Sequence, residues 1–220
     1  MPTTLITGAN RGIGLEISRR LAARGDNVLA CARAHPPTGE RFEPVELDVT
    51  MEDSLAALST RLDGRALDLL VCNAGRLIGR GGVDDPAYSA EAFAEVLAVN
   101  VTGVFMTIRA CLPALRRAKG RIAVISSQMG SSARAKGAAY LYRASKAAAT
   151  NLSVSLSKEL GDEGIAVGAY HPGWVRTDMG GGGAAISVEE SAAGLIARFD
   201  ELNVANAGRL LFYSGEEIPF

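Results

Sequence analysis

The chain has 220 residues, of which 48% are hydrophobic and 21% charged, so its composition is that of a globular protein and its length predicts one domain, residues 1–220. A net charge of −1 argues against nucleic-acid binding, and three widely spaced cysteines argue against a disulfide framework or a metal site. We find no signal peptide. Asn100 and Arg109 interrupt the longest apolar run, so we expect no membrane association and a cytoplasmic location.

Short apolar segments alternate with longer helical segments along the chain. Most of the short segments are hydrophobic throughout, which is typical of strands covered on both faces. The alternation predicts right-handed βαβ units and a doubly wound α/β fold of Rossmann type, with a mainly seven-stranded parallel sheet and helices on both faces. The predicted strands are 3–7, 27–32, 42–47, 67–72, 121–126, 165–170 and 209–213, and the predicted helices lie near 12–24, 51–62, 90–118, 140–161 and 188–200.

Two connections depart from this alternation. Residues 33–42 contain two prolines and show no helical period, so we expect a loop or a single turn in place of a crossover helix. Residues 180–183 are four consecutive glycines, and both a floppy loop and a functional hinge are compatible with them.

A glycine-rich turn, Thr7-Gly8-Ala9-Asn10-Arg11-Gly12-Ile13-Gly14, joins the first predicted strand to the first helix. Glycines allow a tight turn and a close approach to phosphate, and the N-terminus of the helix presents free N–H groups to an anion. The spacing Gly-x-x-x-Gly-x-Gly differs from the general dinucleotide pattern Gly-x-Gly-x-x-Gly. A turn without any ligand is the alternative, but the place of this turn at the start of a βαβ unit favours a dinucleotide.

The end of the second predicted strand indicates which dinucleotide is bound. NAD-binding proteins of this architecture place an acidic residue there for the ribose 2′-hydroxyl, whereas this chain has Ala32 and Arg33 and no acid between Asn27 and Gly39. A guanidinium can bind a 2′-phosphate, and Arg11 would offer a second positive charge. The alternative is a solvated surface arginine. The missing acid favours NADP.

A tyrosine and a lysine, Tyr142 and Lys146, are four residues apart in a predicted helix and therefore share a face. An ordinary tyrosine is almost fully protonated at neutral pH, and a nearby ammonium, together with the positive nicotinamide of an oxidised cofactor, would lower its pKa in a partly dry cleft. The spacing also occurs by chance in many helices, so the pair alone is weak support for catalysis.

Two further polar positions strengthen this pair. Ser126 and Ser127 end a buried strand, at the edge where α/β sheets bind ligands. Asn100 lies on the apolar stripe of the predicted helix 90–118, where an amide needs partners. A satisfied structural asparagine remains the alternative for Asn100.

Together these motifs resemble the short-chain dehydrogenase/reductase family over essentially the whole chain. In chain order the motifs are Thr7 to Gly14, Asn73-Ala74-Gly75, Asn100, Ser127, Tyr142-x-x-x-Lys146 and Pro172-Gly173. More narrowly, residues 6–16, 171–179 and 215–220 are similar to the C-factor branch, which itself resembles the sniffer-type carbonyl reductases.

The resemblance implies an NADP-dependent oxidoreductase that reduces a small carbonyl compound, or oxidises the corresponding alcohol, by hydride transfer. It makes Tyr142 the general acid or base and Lys146 the group that lowers its pKa. Ser127, rather than Ser126, would hold the substrate oxygen, and Asn100 would anchor a water in a proton relay. The residues implied to bind the cofactor are Gly8, Asn10, Arg11, Gly12, Ile13, Gly14, Arg33, Asp48, Val49, Asn73, Ala74, Gly75, Tyr142, Lys146, Pro172, Gly173, Val175 and Thr177.

Some features depart from the family or leave its activity open. Cys72 stands where the family often has asparagine, and only a glycine-rich loop and one helix follow Met179 before the last strand. The short segment suggests an open pocket, or one completed by a partner subunit. The resemblance also implies a homodimer or homotetramer, with helices 90–118 and 140–161 pairing between subunits.

An alternative function is an NADP-binding signalling or regulatory protein of the C-factor type that needs no turnover. The complete set of Asn100, Ser127, Tyr142 and Lys146 favours catalysis, because a sensor could lose any of them. The chain lacks room for the substrate domain of a sugar-nucleotide epimerase. The identity of the substrate does not follow from the sequence.

Overall fold

The computed structural model describes residues 1–220 and contains one seven-stranded parallel sheet. The strands lie in the order β3-β2-β1-β4-β5-β6-β7, and every neighbouring pair is parallel. This arrangement confirms the predicted Rossmann-type sheet. The strands are β1 (Thr3–Thr7), β2 (Asn27–Ala32), β3 (Phe42–Glu46), β4 (Leu69–Cys72), β5 (Arg121–Ile125), β6 (Ala166–His171) and β7 (Leu210–Phe212).

Helices cover both faces of the sheet. The main helices are α1 (Gly12–Arg24), α2 (Glu52–Arg61), α3 (Ala90–Leu97), α4 (Gly103–Ala118), α5 (Tyr140–Leu160) and α6 (Val188–Glu201). One core cluster joins the sheet to α2, α4 and α5, and a second joins it to α1 and α6. Leu5 belongs to the first cluster and its neighbour Ile6 to the second, so both faces of β1 are buried. This explains why the strand segments are hydrophobic throughout.

The connection between β2 and β3 contains no helix, as the prolines predicted. The predicted helix 90–118 differs from expectation, because a π-helical turn, Ala98–Thr102, separates α3 from α4. A Cβ added at Gly103 would lie 2.7 Å from the Val49 side chain, so the residue after this turn packs directly against the β3–α2 connection. Such turns occur often at functional sites, and a 3.6-residue period does not reveal them.

Residues Ala90–Ala118 are long and apolar enough to span a membrane by length and composition, and an 18-residue window within them has a mean hydropathy of 1.6. The expectation that polar residues keep this run below spanning length was therefore wrong. One such segment is weak support for a membrane span. Here Val104, Ile108, Cys111 and Leu115 are buried in the core against the sheet, which makes α4 a core helix.

The strand order places the ligand crevice. The chain leaves β1 toward β2 on one side and later continues from β4 on the other, so β1 and β4 flank a topological switch point. In open parallel sheets, ligands bind outside the carboxyl ends of the strands at such a point. The carboxyl ends of β1, β4, β5 and β6 carry the predicted site residues.

Candidate active site

The glycine turn after β1 leaves the N-terminus of α1 open to an anion. Gly8 and Gly12 have φ values of +66° and +54°, in the left-handed region that favours glycine. A Cβ on Gly14 would lie 2.3 Å from the Gly8 carbonyl oxygen. The N-cap residue Arg11 makes no side-chain capping bond, and the first turn of α1 has no acidic residue. The free N–H groups and the close backbone therefore fit a pyrophosphate.

Thr7 and Asn73 hold this turn against the end of β4. The Thr7 hydroxyl accepts hydrogen bonds from the N–H groups of Asn73 and Ala74, both at 3.0 Å. The Asn73 amide donates to the carbonyls of Thr7 and Gly8 at 3.0 and 3.1 Å. The resemblance implied that Asn73 lines the cofactor, whereas the structure commits its side chain to the glycine turn. Sequence reasoning missed the bracing hydroxyl of Thr7.

The predicted adenine side lies at the ends of β2 and β3. Arg33 is exposed and forms no ion pair, and the Asn10 side chain reaches the Ala34 carbonyl at 3.4 Å. Burial raises the pKa of Asp48, but hydrogen bonds from the side chain and N–H of Thr50 and the charge of Arg33 outweigh it, so this pKa is lowered. Asp48 is therefore ionised and can accept hydrogen bonds, and it lies near Arg33, the cation that is predicted to bind the 2′-phosphate.

Three other predicted cofactor residues have different surroundings. Val49 is buried in the core, and Ile13 packs against the second core cluster. Arg11 was expected to supply a second charge to the 2′-phosphate, but it forms a 2.7 Å ion pair with Asp178 on the loop after β6. This pair places the glycine turn beside that loop.

The loop after β6 packs along the glycine turn. A Cβ on Gly12 would lie 3.3 Å from the Thr177 methyl group, so Thr177 adjoins the start of α1. Val175 is buried and bridges to Ile186, while the Pro172 carbonyl accepts a bond from Ser191 at 2.6 Å. Gly173 has a φ of +87°, where a side chain would be strained.

Tyr142 and Lys146 lie on the first two turns of α5, facing the crevice. The Lys146 ammonium lies 5.5 Å from the centroid of the Tyr142 ring and donates a 2.7 Å hydrogen bond to the Ile125 carbonyl. Lys146 is 4% exposed. Burial lowers its pKa to about 8, although the nearby Cys72 thiol acts in the opposite direction. A Cβ on Gly75 would lie 3.7 Å from the Lys146 ammonium, so Gly75 adjoins this lysine.

The pKa of Tyr142 differs from the sequence expectation. Burial raises it to about 12, and a hydrogen bond with the Ser127 side chain and the charge of Arg80 lower it only partly. The ammonium of Lys146 lies over the ring face and donates its hydrogen bond to the Ile125 carbonyl, not to the phenol oxygen. The phenol is thus protonated at neutral pH, which is the state needed to donate a proton.

The two serines after β5 have separate surroundings. Ser126 is buried, and its hydroxyl lies 3.0 Å from the Lys146 carbonyl and 2.7 Å from the Thr150 hydroxyl. Ser127 instead interacts with the phenol of Tyr142 and accepts the Met129 N–H at 3.1 Å. This difference supports the choice of Ser127 over Ser126.

Arg143 links the turn after Ser127 to α5 and was missed in the sequence. Its guanidinium donates to the carbonyls of Ala138 and Met129 at 3.0 and 3.2 Å. These bonds tie the entry of α5 to the turn that begins at Ser127. Only the place of Arg143 directly after Tyr142 could have suggested this role.

Asn100 lies in the π-helical turn, and its amide is fully engaged. Its oxygen accepts the Arg76 N–H at 2.8 Å, and its nitrogen donates to the Arg76 carbonyl and the Ser145 hydroxyl, both at 2.9 Å. Asn100 therefore joins the loop after β4 to α5. Its side chain makes no hydrogen bond to Lys146, so its predicted part in a proton relay stays a prediction.

Comparisons with known proteins agree with this geometry. A family model described as short chain dehydrogenase matches residues 2–184. The C-signal protein of Myxococcus xanthus is 36% identical over 168 residues, which cover 76% of this chain and 100% of that protein. The NADPH-bound carbonyl reductase from chicken fatty liver has a TM-score of 0.90 at 30% identity, covering 100% of this chain and 99% of that one. The carbonyl reductase Sniffer of D. melanogaster has a TM-score of 0.93 at 26% identity, covering 100% of both chains.

These matches confirm the predicted resemblance. The family model covers most of the chain, and the similar structures share its full length. The chain belongs to the short-chain dehydrogenase/reductase family of oxidoreductases.

Proposed function

We propose that this protein uses NADP(H) to reduce a small carbonyl compound, or to oxidise the corresponding alcohol, with Tyr142 as general acid or base. The arrangement of Tyr142, Ser127 and Lys146 at the carboxyl end of β5, next to the open N-terminus of α1, carries this proposal. One part of the crevice suits a pyrophosphate, and the adjoining part holds a protonated phenol.

Bound NADPH would supply the hydride. The Tyr142 phenol, protonated at neutral pH, would donate its proton to the carbonyl oxygen. The Ser127 hydroxyl would hold that oxygen by a hydrogen bond. Lys146 would keep positive charge beside the phenol, which would favour the phenolate left after proton transfer.

The preference for NADP over NAD is part of the proposal. Arg33 supports it, because it is exposed, forms no ion pair and follows β2 in a segment, Asn27 to Gly39, that contains no acidic residue. The NADPH-bound relative also supports it. We further propose a cytoplasmic location and a homodimer or homotetramer, as the family resemblance implies.

The test follows NADPH oxidation against a panel of aldehydes, ketones, quinones and 3-oxoacyl thioesters. Tyr142→Phe should lower turnover roughly 10²- to 10⁴-fold, the usual contribution of a general acid, while the Kd for NADPH stays nearly unchanged. Tyr140→Phe is the matched control, because Tyr140 is an exposed tyrosine at the start of the same helix. Retained turnover in Tyr142→Phe would refute the proton-donor role.

A signalling protein that binds NADP without essential turnover is the second candidate, favoured by the similarity to C-signal. It predicts cofactor binding without reduction of any panel member. A thermal-shift titration with NADPH and NADH, run beside the turnover assay, separates the two functions.

A further inference from the structure

Arg80 is an exposed arginine without a carboxylate partner. Most arginines of this chain form ion pairs with aspartate or glutamate. The guanidinium of Arg80 instead donates to the main-chain carbonyl of Met179, on the loop after β6. A guanidinium has five N–H donors in a planar fork, so most of its capacity remains free.

The segment that carries Arg80 is fixed to the start of α5. The Gly81 carbonyl accepts the Ala139 N–H at 3.1 Å and the Tyr88 hydroxyl at 2.8 Å. The Tyr88 oxygen in turn accepts the N–H of Tyr140, the first residue of α5, at 3.2 Å. Arg80 is therefore held beside the first helical turn, which contains Tyr142, and its charge acts on that phenol.

Two carboxylates on the adjoining segments are committed to other groups. Asp85 accepts the main-chain N–H groups of Arg80, Gly81 and Ala87, at 3.0, 2.6 and 2.9 Å. Asp178 is paired with Arg11. The guanidinium of Arg80 thus lies between the start of α5 and the loop after β6 without a carboxylate bonded to it.

We propose that Arg80 determines specificity by binding an anionic group, a carboxylate or a phosphate, on the carbonyl substrate. Both anions match the planar fork of arginine through paired hydrogen bonds. The loop opposite Arg80 exposes two large apolar side chains, Trp174 and Met179. The substrate class is therefore a carbonyl compound with an apolar body and a terminal anion. This inference rests on the proposed function, because Tyr142 fixes where the carbonyl lies.

The test compares three aldehydes of similar shape: 4-carboxybenzaldehyde, 4-formylphenyl phosphate and the neutral methyl 4-formylbenzoate. The wild-type protein should show a kcat/KM up to about fivefold higher for at least one anionic aldehyde, which is the upper end of the effect of an exposed ion pair. The two anionic aldehydes distinguish a carboxylate from a phosphate site. High salt should reduce the preference.

The decisive variant is Arg80→Gln, which keeps a polar side chain and removes the charge. It should lose the preference through a higher KM for the anionic aldehyde, whereas loss of the charge beside the Tyr142 phenol should change kcat for the anionic and neutral aldehydes by the same factor. Arg19→Gln is the matched control, because Arg19 is an exposed arginine of α1 without an ion pair. Arg134→Gln tests a second unpaired arginine, whose guanidinium lies over the Phe212 ring.

Equal kcat/KM for neutral and anionic aldehydes in the wild type would overturn the proposal. A preference for the anionic aldehyde that persists in Arg80→Gln, or that is lost only in Arg134→Gln, would also overturn it. If no aldehyde is reduced, the proposed function fails, and binding of 4-carboxybenzyl alcohol then tests Arg80 separately. A rise in Tm with this anion in the wild type but not in Arg80→Gln supports the site. The same rise, or none, in both proteins contradicts it.

Discussion

Replacing Lys146 should stabilise the fold while abolishing turnover. The fall in the pKa of Lys146 from 10.5 to about 8 corresponds to about 3 kcal/mol that the folded protein loses by burying this charge. Lys146→Met removes the charge, but it leaves the Ile125 carbonyl without its donor, at a cost of about 1 kcal/mol. The variant should therefore be about 2 kcal/mol more stable at pH 7.

The sign of this effect depends on pH. Below pH 8 Lys146 is protonated in both states, so the folded state carries the full penalty. Between pH 8 and 10.5 the unfolded chain binds more protons than the folded protein, so the stability of the wild type increases relative to that of the variant as pH rises.

Urea unfolding at pH 7 and pH 10, without cofactor, measures this difference in stability between wild type and variant. Lys158→Met, an exposed lysine on the same helix, should change stability by no more than about 0.5 kcal/mol. A Lys146→Met protein less stable than the wild type at pH 7, or a gain that does not shrink toward pH 10, would refute the reasoning.

Two further predictions concern Arg33 and His171. Arg33→Asp should raise the Kd for NADPH about tenfold, with a much smaller effect on NADH, when binding is measured by titration; equal effects on both would contradict a 2′-phosphate contact. His171 is 6% exposed, both ring nitrogens lack partners, and burial, assisted by the charges of Arg134 and Lys146, lowers its pKa from 6.5 to about 4. Between pH 4 and 6.5, His171 therefore binds more protons in the unfolded chain than in the folded protein. The free energy of unfolding should fall by about 3 kcal/mol as pH drops from 6.5 to 4. His171→Leu should remove this loss in urea unfolding at the two pH values, and an unchanged acid dependence would contradict the cause.

The sheet was predictable because its strands carry the required pattern. Most of them, though not β3, are apolar on both faces, and the segments between them either show a helical period or, at 33–42, contain prolines. Strand ends differ from the prediction by at most two residues, because hydrogen bonding rather than hydropathy determines where a strand ends. The π-helical turn around Asn100 was not predictable, because the apolar stripe of this segment keeps a helical period that does not reveal such a turn.

The positions of the site residues were predictable, but their chemical states were not. Motif order placed Ser127, Tyr142 and Lys146 together, because parallel strands bring their carboxyl ends to one edge. The expectation of a lowered pKa for Tyr142 rested on the positive charge of Lys146 and of an oxidised nicotinamide. Burial opposes that charge, and its extent depends on contacts that no short motif contains.

Several unfavourable features are concentrated at this edge of the sheet. Ala138 and Ala139 have φ values of +78° and +52°, which cost about 1–2 kcal/mol each for residues other than glycine. They directly precede α5, on which Lys146 is buried. Such a backbone persists only where surrounding contacts fix it. The Ala138 carbonyl is held by Arg143 and the Ala139 N–H by Gly81, so these contacts, rather than local preference, fix the start of α5 and with it Tyr142.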